Sequence, residues 1–225
     1  MRLDRMLSNA HAGTRSQVKK LVKEKRVKVN GVLAKTSSMQ IDEVNDEVTL
    51  DGIPVIYEEH MYLMLHKPAG YISATEGNVP TVMDLIYEDN NGLFPCGRLD
   101  KDTEGLLLIT NDGPLAHTLL SPKHHVEKEY YVEHALDMSE DDIVRLQSGI
   151  SYNGESYKPA KVNMISPRSC TLTITEGKYH EIKFMFQALG DKVTYLKRLR
   201  MKNLVLDESL KPGEYRYLTE EEIAD

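Results

Sequence analysis

Residues 97–113 read GRLDKDTEGLLLITNDG. The first half, Arg98-Leu99-Asp100-Lys101-Asp102-Thr103-Glu104-Gly105, concentrates charge and hydroxyl groups in a short loop. The second half, Leu106-Leu107-Leu108-Ile109, is an unbroken apolar run of strand length. Such a run predicts a strand buried on both faces. A polar loop anchored against a buried strand is placed rigidly enough to serve as a site. Two plainer readings compete. A D-x-D loop taken alone is an ordinary surface feature. Asp100, Asp102, Glu104 and Gly105 also fit the opening positions of a calcium loop. There the closing position is Asn111 instead of a bidentate Glu, and Phe94-Pro95-Cys96-Gly97 breaks the entering helix that such a loop needs.

Working outward from this stretch, the chain alternates short strands and helices. Residues 61–65 form a buried strand candidate, turned by Lys67-Pro68-Ala69-Gly70. The turn is the plainer role for Lys67, with an RNA-facing cation as the alternative. Thr81 can cap a short helix over 82–87. Residues 114–120 read as a helix stopped by Ser121-Pro122. Residues 127–132 read as a strand. Residues 139–147 form an acidic helix, with Ser139 and Asp142 in capping-box spacing and Gly149 just past its end. Residues 160–165 and 170–176 make a strand pair around Pro167. Residues 177–186 run into a helix closed by Gly190, and 193–201 is a basic strand. His180-Glu181 opens an H-E-x-x-H zinc pattern that fails because its fifth position is Phe184. His117, His124 and His125 have no metal-ligand spacing, so no metal is expected.

The N-terminal stretch differs in character. Leu3, Met6, Leu7 and Ala10 follow helical spacing up to Gly13. A second helix is expected over 15–26, with Val18, Leu21 and Val22 inward and Thr14 or Ser16 as its cap. Val27-Lys28-Val29 alternates as a strand, Asn30-Gly31 is a hairpin turn signal, and a further strand pair is expected around Ile41 and 48–50. The whole chain carries a net charge of −7 over 225 residues. Residues 1–41, however, hold ten Lys or Arg against two acids, a net of +8, and the remainder is −15. A basic module on an acidic body points to local nucleic-acid binding. The 40% apolar content suits a globular chain with a core. No apolar run is long enough to span a bilayer or to act as an export signal, and Cys96 and Cys170 lie far apart in sequence. These features place the protein in a cytoplasm with reduced thiols and no membrane partner.

The central stretch closely resembles the signature of the S4-domain ribosomal RNA pseudouridine synthases, G-R-L-D-x-D-T-x-G-L-L-L-x-T-N-D-G. The resemblance extends over nearly the whole chain. RLDRML through TRSQVKKLVKEKRVKVNG resembles an S4 RNA-binding domain. Lys128-x-Tyr130 resembles the family's K-x-Y motif. The segment from Glu176 to Phe186 resembles its third motif, departing at Glu181, usually Gln, and at Phe184, usually basic. His66 stands where the family usually has Asn. The ending PGEYRYLTEEEIA resembles the branch acting on 16S rRNA, and the long basic tails common in the large-subunit relatives do not occur here.

This resemblance implies an α+β protein. A small S4-like α/β RNA-binding domain would cover 1–51, a linker 52–59, and a catalytic domain 60–225 whose mixed, mainly antiparallel sheet is flanked by helices. It implies isomerisation of one uridine in ribosomal RNA, uridine 516 of 16S rRNA. The alternatives are a large-subunit (23S) enzyme and a non-catalytic S4-type RNA-binding or ribosome-assembly protein. Asp100 would be the nucleophile, Tyr130 the residue stacking on the target base, and Lys183 the cation paired with the catalytic carboxylate. Arg98 would help extrude the base, and Lys128 would contact substrate. Arg2, Arg5, Arg15, Ser16, Lys19 and Lys20 would touch phosphates. The reaction is redox-neutral and needs no group donor, so no cofactor is expected. The resemblance implies ribosomal RNA within an assembling small subunit as the partner, and the protein is expected to be a monomer.

Overall fold

In the computed structural model, which describes residues 1–10, 12–43, 45–55, 60–88 and 92–224, the chain forms two compact units, Met1–His60 and Met61–Asp225. In the first unit, α1 (Leu3–Asn9) and α2 (Arg15–Lys23) precede β1 (Val27–Val29), β2 (Val32–Leu33), β3 (Val48–Leu50) and β4 (Ile53–Pro54). Thr14 caps α2, accepting from the Gln17 amide while the Gln17 side chain accepts from the Thr14 amide, so two otherwise unpaired helix-end donors are satisfied. Asn30 and Gly31, both at positive φ, turn β1 into β2. Leu3, Met6, Leu7, Val18, Val22, Val27, Val29, Ile41 and Val48 form one core.

Three expectations for this unit change. The second helix stops at Lys23, short of residue 26, because the chain turns at Lys25, which sits at positive φ. Residues around Ile41 do not form a strand: Gln40 makes a single bridge to Arg2, and β3 pairs instead with β1 and β4. Ile53 and Pro54, expected in the linker, close that second hairpin, because Asp51 and Gly52 at positive φ supply a tight turn. Residues 56–59 of the expected linker lie outside the described residues.

The second unit is built on a nine-stranded sheet. Its strands are β5 (Tyr62–Lys67), β6 (Phe94–Cys96), β7 (Glu104–Thr110), β8 (Lys128–His134), β11 (Lys161–Ser166), β12 (Ser169–Ile174), β13 (Val193–Met201), β14 (Leu204–Val205) and β15 (Tyr215–Tyr217). The order is β11-β12-β8-β13-β7-β5-β15, with β6 paired to β7 and β14 to β13. Every pairing is antiparallel except β13 with β7. A separate hairpin joins β9 (Ile150–Tyr152) to β10 (Glu155–Tyr157). Among the described residues four α-helices accompany the strands: α3 (Gly113–Leu120), α4 (Glu140–Ser148), α5 (Glu181–Ala188) and α6 (Glu220–Ala224). Residues 82–87 hold only a single 3-10 turn over Val82–Leu85.

The double burial expected of the central strand is observed. Leu107 and Ile109 join one core with Leu63, Leu65, Val132, Leu172, Met185 and Phe186. Leu106 and Leu108 join another with Met64, Ala116, Leu119 and Met201. Side chains alternate across a strand, so a strand covered on both faces reads as a continuous apolar run.

Candidate active site

The polar half of the central stretch forms the loop entering β7, and several residues far away in sequence tie it down. The Leu99 amide donates to Ser73 Oγ, which donates back to the Leu99 carbonyl, each at 3.0 Å. The Gly70 amide donates to the Lys101 carbonyl at 2.7 Å, and the Thr103 amide closes a turn onto the Asp100 carbonyl at 3.1 Å. Lys67, with no exposed surface, runs beneath the loop and donates from Nζ to the carbonyls of Thr103 at 2.7 Å and Pro68 at 3.0 Å. Burial pushes its ammonium down to about 8, against the pull of Asp102, Glu104 and Asp100. Lys67 therefore cannot face RNA. It is an internal strut of the loop, which sequence reasoning missed because a Lys before Pro reads as a surface turn.

Gly105 explains itself by contact. It sits at φ +103 beside Arg198 on β13, and a Cβ there would overlap the Arg198 carbonyl oxygen. Only glycine lets the parallel strand approach so closely where the loop becomes β7. Arg198 is itself buried and donates from Nε to the Leu106 carbonyl at 2.7 Å. Its cross-strand neighbour on β8 is Tyr130, also buried. Burial raises the Tyr130 hydroxyl pKa, and the nearby Arg198 cation opposes that shift.

The start of α5 completes the site. Lys183 Nζ lies 2.8 Å from Asp100 Oδ2 and 2.6 Å from Asp102 Oδ1. Burial works against the Lys183 charge, but the hydrogen bonds it donates to both carboxylates, with their negative charge, outweigh it, so its pKa is raised. Asp102 is lowered: burial opposes the shift, and Lys183 drives it. His180 Nε2 is 3.5 Å from Asp100 Oδ1. A cleft of about 280 Å³ opens over these groups, its walls including Arg98, Asp100, Tyr130, His180, Lys183 and Arg198.

Of the residues expected here, Asp100, Tyr130, Lys183, Arg98 and Lys128 therefore share one cleft. Arg98 is exposed. Lys128 is buried and donates from Nζ to the Val126 and Glu176 carbonyls at 3.1 and 3.2 Å, so its ammonium braces the cleft wall. His180 was read only as part of a motif, and its contact with Asp100 arises from residues eighty positions apart in sequence.

With this geometry in view, similarity to known proteins is decisive. Residues 61–188 match the RNA pseudouridylate synthase family and residues 1–48 match the S4 domain. The chain belongs to the RNA pseudouridine synthases. It is 49% identical over 231 residues to an uncharacterized RNA pseudouridine synthase of Bacillus subtilis (strain 168), covering 99% of this chain and 97% of that relative. It is 42% identical over 227 residues to ribosomal small subunit pseudouridine synthase A of Haemophilus influenzae, covering 99% and 98%. A crystal structure of a pseudouridylate synthase matches with a TM-score of 0.71 at 41% identity, covering 100% of this chain and 98% of that one.

The synthase's S4 unit carries a second concavity, a groove of about 530 Å³. Arg2, Arg15, Ser16 and Lys19 line it, as do Lys23 and Lys35. Lys35 was not expected there, because it lies in a loop outside the helical pattern. Arg5 and Lys20 are exposed but do not line the groove, and Lys20 lies 3.8 Å from Glu24. Arg2 is held by two hydrogen bonds to Asp4, at 3.0 and 2.6 Å. Among the described residues of the synthase no helix is long and apolar enough to cross a membrane.

Proposed function

We propose that the synthase isomerises a uridine of ribosomal RNA, uridine 516 of 16S rRNA, with Asp100 as nucleophile. The observation that carries this reading is the Asp100 carboxylate held in the cleft between Lys183, at 2.8 Å, and His180, at 3.5 Å. The choice of 16S rRNA rests on the relatives named for the small subunit and on the resemblance of residues 212–224 to the branch acting on 16S rRNA.

The reaction breaks the bond from ribose carbon 1′ to base N1 and forms one from carbon 1′ to base carbon 5. The proton on carbon 5 is lost and N1 gains one, so nothing is oxidised and no donor is consumed. A carboxylate can carry this through a covalent adduct. Lys183 fixes the carboxylate's orientation and keeps a cation against it. The target is inaccessible inside stacked RNA and must be flipped out at a cost of a few kcal/mol. Exposed Arg98 takes part in that extrusion, and the Tyr130 ring forms a wall against which the detached base turns. Arg2, Arg15, Ser16 and Lys19 hold phosphates in the S4 groove, with Arg5 and Lys20 outside it. Such contacts set position and affinity. On this reading the protein works as a monomer in the cytoplasm.

Asp100→Asn keeps shape and hydrogen bonding but removes the nucleophile. It should fold, bind RNA through the S4 unit, and form no detectable pseudouridine when 16S rRNA is mapped after incubation. Asp102→Asn, at a more exposed carboxylate, should lose far less. Near-normal turnover by Asp100→Asn would discard the mechanism, and modification at another uridine would discard the assigned target.

A further inference from the structure

The third motif presents an aromatic surface that the reaction itself does not use. Tyr179 is 71% exposed, and its ring stacks on His180 with centroids 3.8 Å apart and planes 18° from parallel. Phe184 lies 5.7 Å from His180 and 6.2 Å from Tyr179, the latter edge-on, and stacks in turn on Tyr152 at 5.7 Å. Four rings thus form a continuous array. One of them, His180, lines the cleft and touches Asp100.

The array is held in place deliberately. His180 sits at φ +49 at the start of α5, a conformation that non-glycine residues adopt only at a cost, and its side chain makes no capping hydrogen bond. The ring is committed to Asp100 and Tyr179 instead. Glu181 locks the turn: its carboxylate accepts from the Lys178 amide at 2.8 Å, and its own amide donates to the Lys178 carbonyl. The two departures from the family pattern, Glu181 and Phe184, therefore both support this array.

We propose that the exposed face of Tyr179 is a stacking subsite for a nucleobase immediately next to the target uridine. This rests on the proposed function, since it needs a flipped nucleotide in the cleft. Flipping the target removes a stacking partner from each neighbouring base. A flat ring, one stacked residue removed from Asp100, offers one of those bases a replacement. Stacking on an aromatic side chain tolerates any base, so the subsite would fix the strand's path and would not read sequence.

The test uses the ribosomal RNA segment in which the wild-type protein is found to form pseudouridine, with 2-aminopurine placed immediately 5′ or immediately 3′ of the target. Binding of the full-length protein should quench the probe at one of these positions. Tyr179→Ala should abolish that quenching and lower kcat/KM about tenfold, while Tyr179→Phe should keep both near wild type. Because Tyr179 is exposed, neither change should affect folding. Equal quenching by wild type and Tyr179→Ala, or no quenching at either position with RNA bound, would overturn the subsite and leave the role of Asp100 untouched. Failure of Tyr179→Phe to restore kcat/KM would assign the effect to the hydroxyl and overturn stacking. Absence of pseudouridine from every segment would overturn the function, and the subsite with it.

Discussion

The S4 groove and the catalytic cleft both gather cations, but they use them in opposite ways. In the S4 unit, Arg15, Lys19, Lys23 and Lys35 stand exposed around an open groove. In the catalytic unit, Lys67, Lys128 and Arg198 are buried with donors on main-chain carbonyls, and Lys183 is bound to two carboxylates. Exposed charge in water makes weak, salt-screened contacts that suit a long polyanion. Buried charge survives only when paired, and once paired it serves as a rigid fixture. The acidic net charge of residues 42–225 is therefore no guide to what their buried cations do.

The comparison can be broken most decisively at Lys183. Lys183→Met removes the cation facing Asp100 and should lower kcat about 100-fold or more, with RNA affinity near wild type in a filter-binding assay. A matching loss of affinity would mean that Lys183 behaves like a groove cation.

Lys67→Met is the next largest. It leaves the Thr103 and Pro68 carbonyls without their donor, and should lower unfolding free energy by about 2 kcal/mol, read from urea midpoints. The pH dependence sharpens this. The Lys67 pKa is about 8 in the folded protein against 10.5 for a free lysine. Between those values the unfolded chain binds more protons, so the Lys67 contribution to stability rises with pH across that window. Below about pH 8 that contribution is flat. The variant should lack the rise expected of the wild type.

The smallest effect belongs to the groove. Arg15→Gln with Lys19→Gln should leave folding intact and reduce the slope of log affinity against log salt by about 0.7–0.9 per lost phosphate contact. An unchanged slope would remove these residues from the RNA interface.

Much of this protein was legible in the sequence because the signals are local. The run Leu106–Ile109 announced a strand covered on both faces. Thr14, one of two candidate caps, starts α2, and Ser139 with Asp142 starts α4 through contacts three residues apart. The resemblance of three motifs brought Asp100, Tyr130 and Lys183 to notice together. The Ile41 strand failed for the converse reason: its apolar side chain fills the S4 core from a loop, and β-pairing depends on partners that local pattern does not name.

By itself, then, the sequence determined the two modules, the basic first 41 residues and the polar loop set against a buried strand, all properties of residues close together along the chain. Tertiary structure alone decided that Lys67 lies under that loop, that Gly105 must be bare to admit Arg198, and that His180 meets Asp100. Each of these depends on segments dozens of residues apart being brought within hydrogen-bonding or van der Waals reach. The energy of a buried charge or a close backbone approach is set by those distant neighbours, and it has no counterpart in the residues on either side.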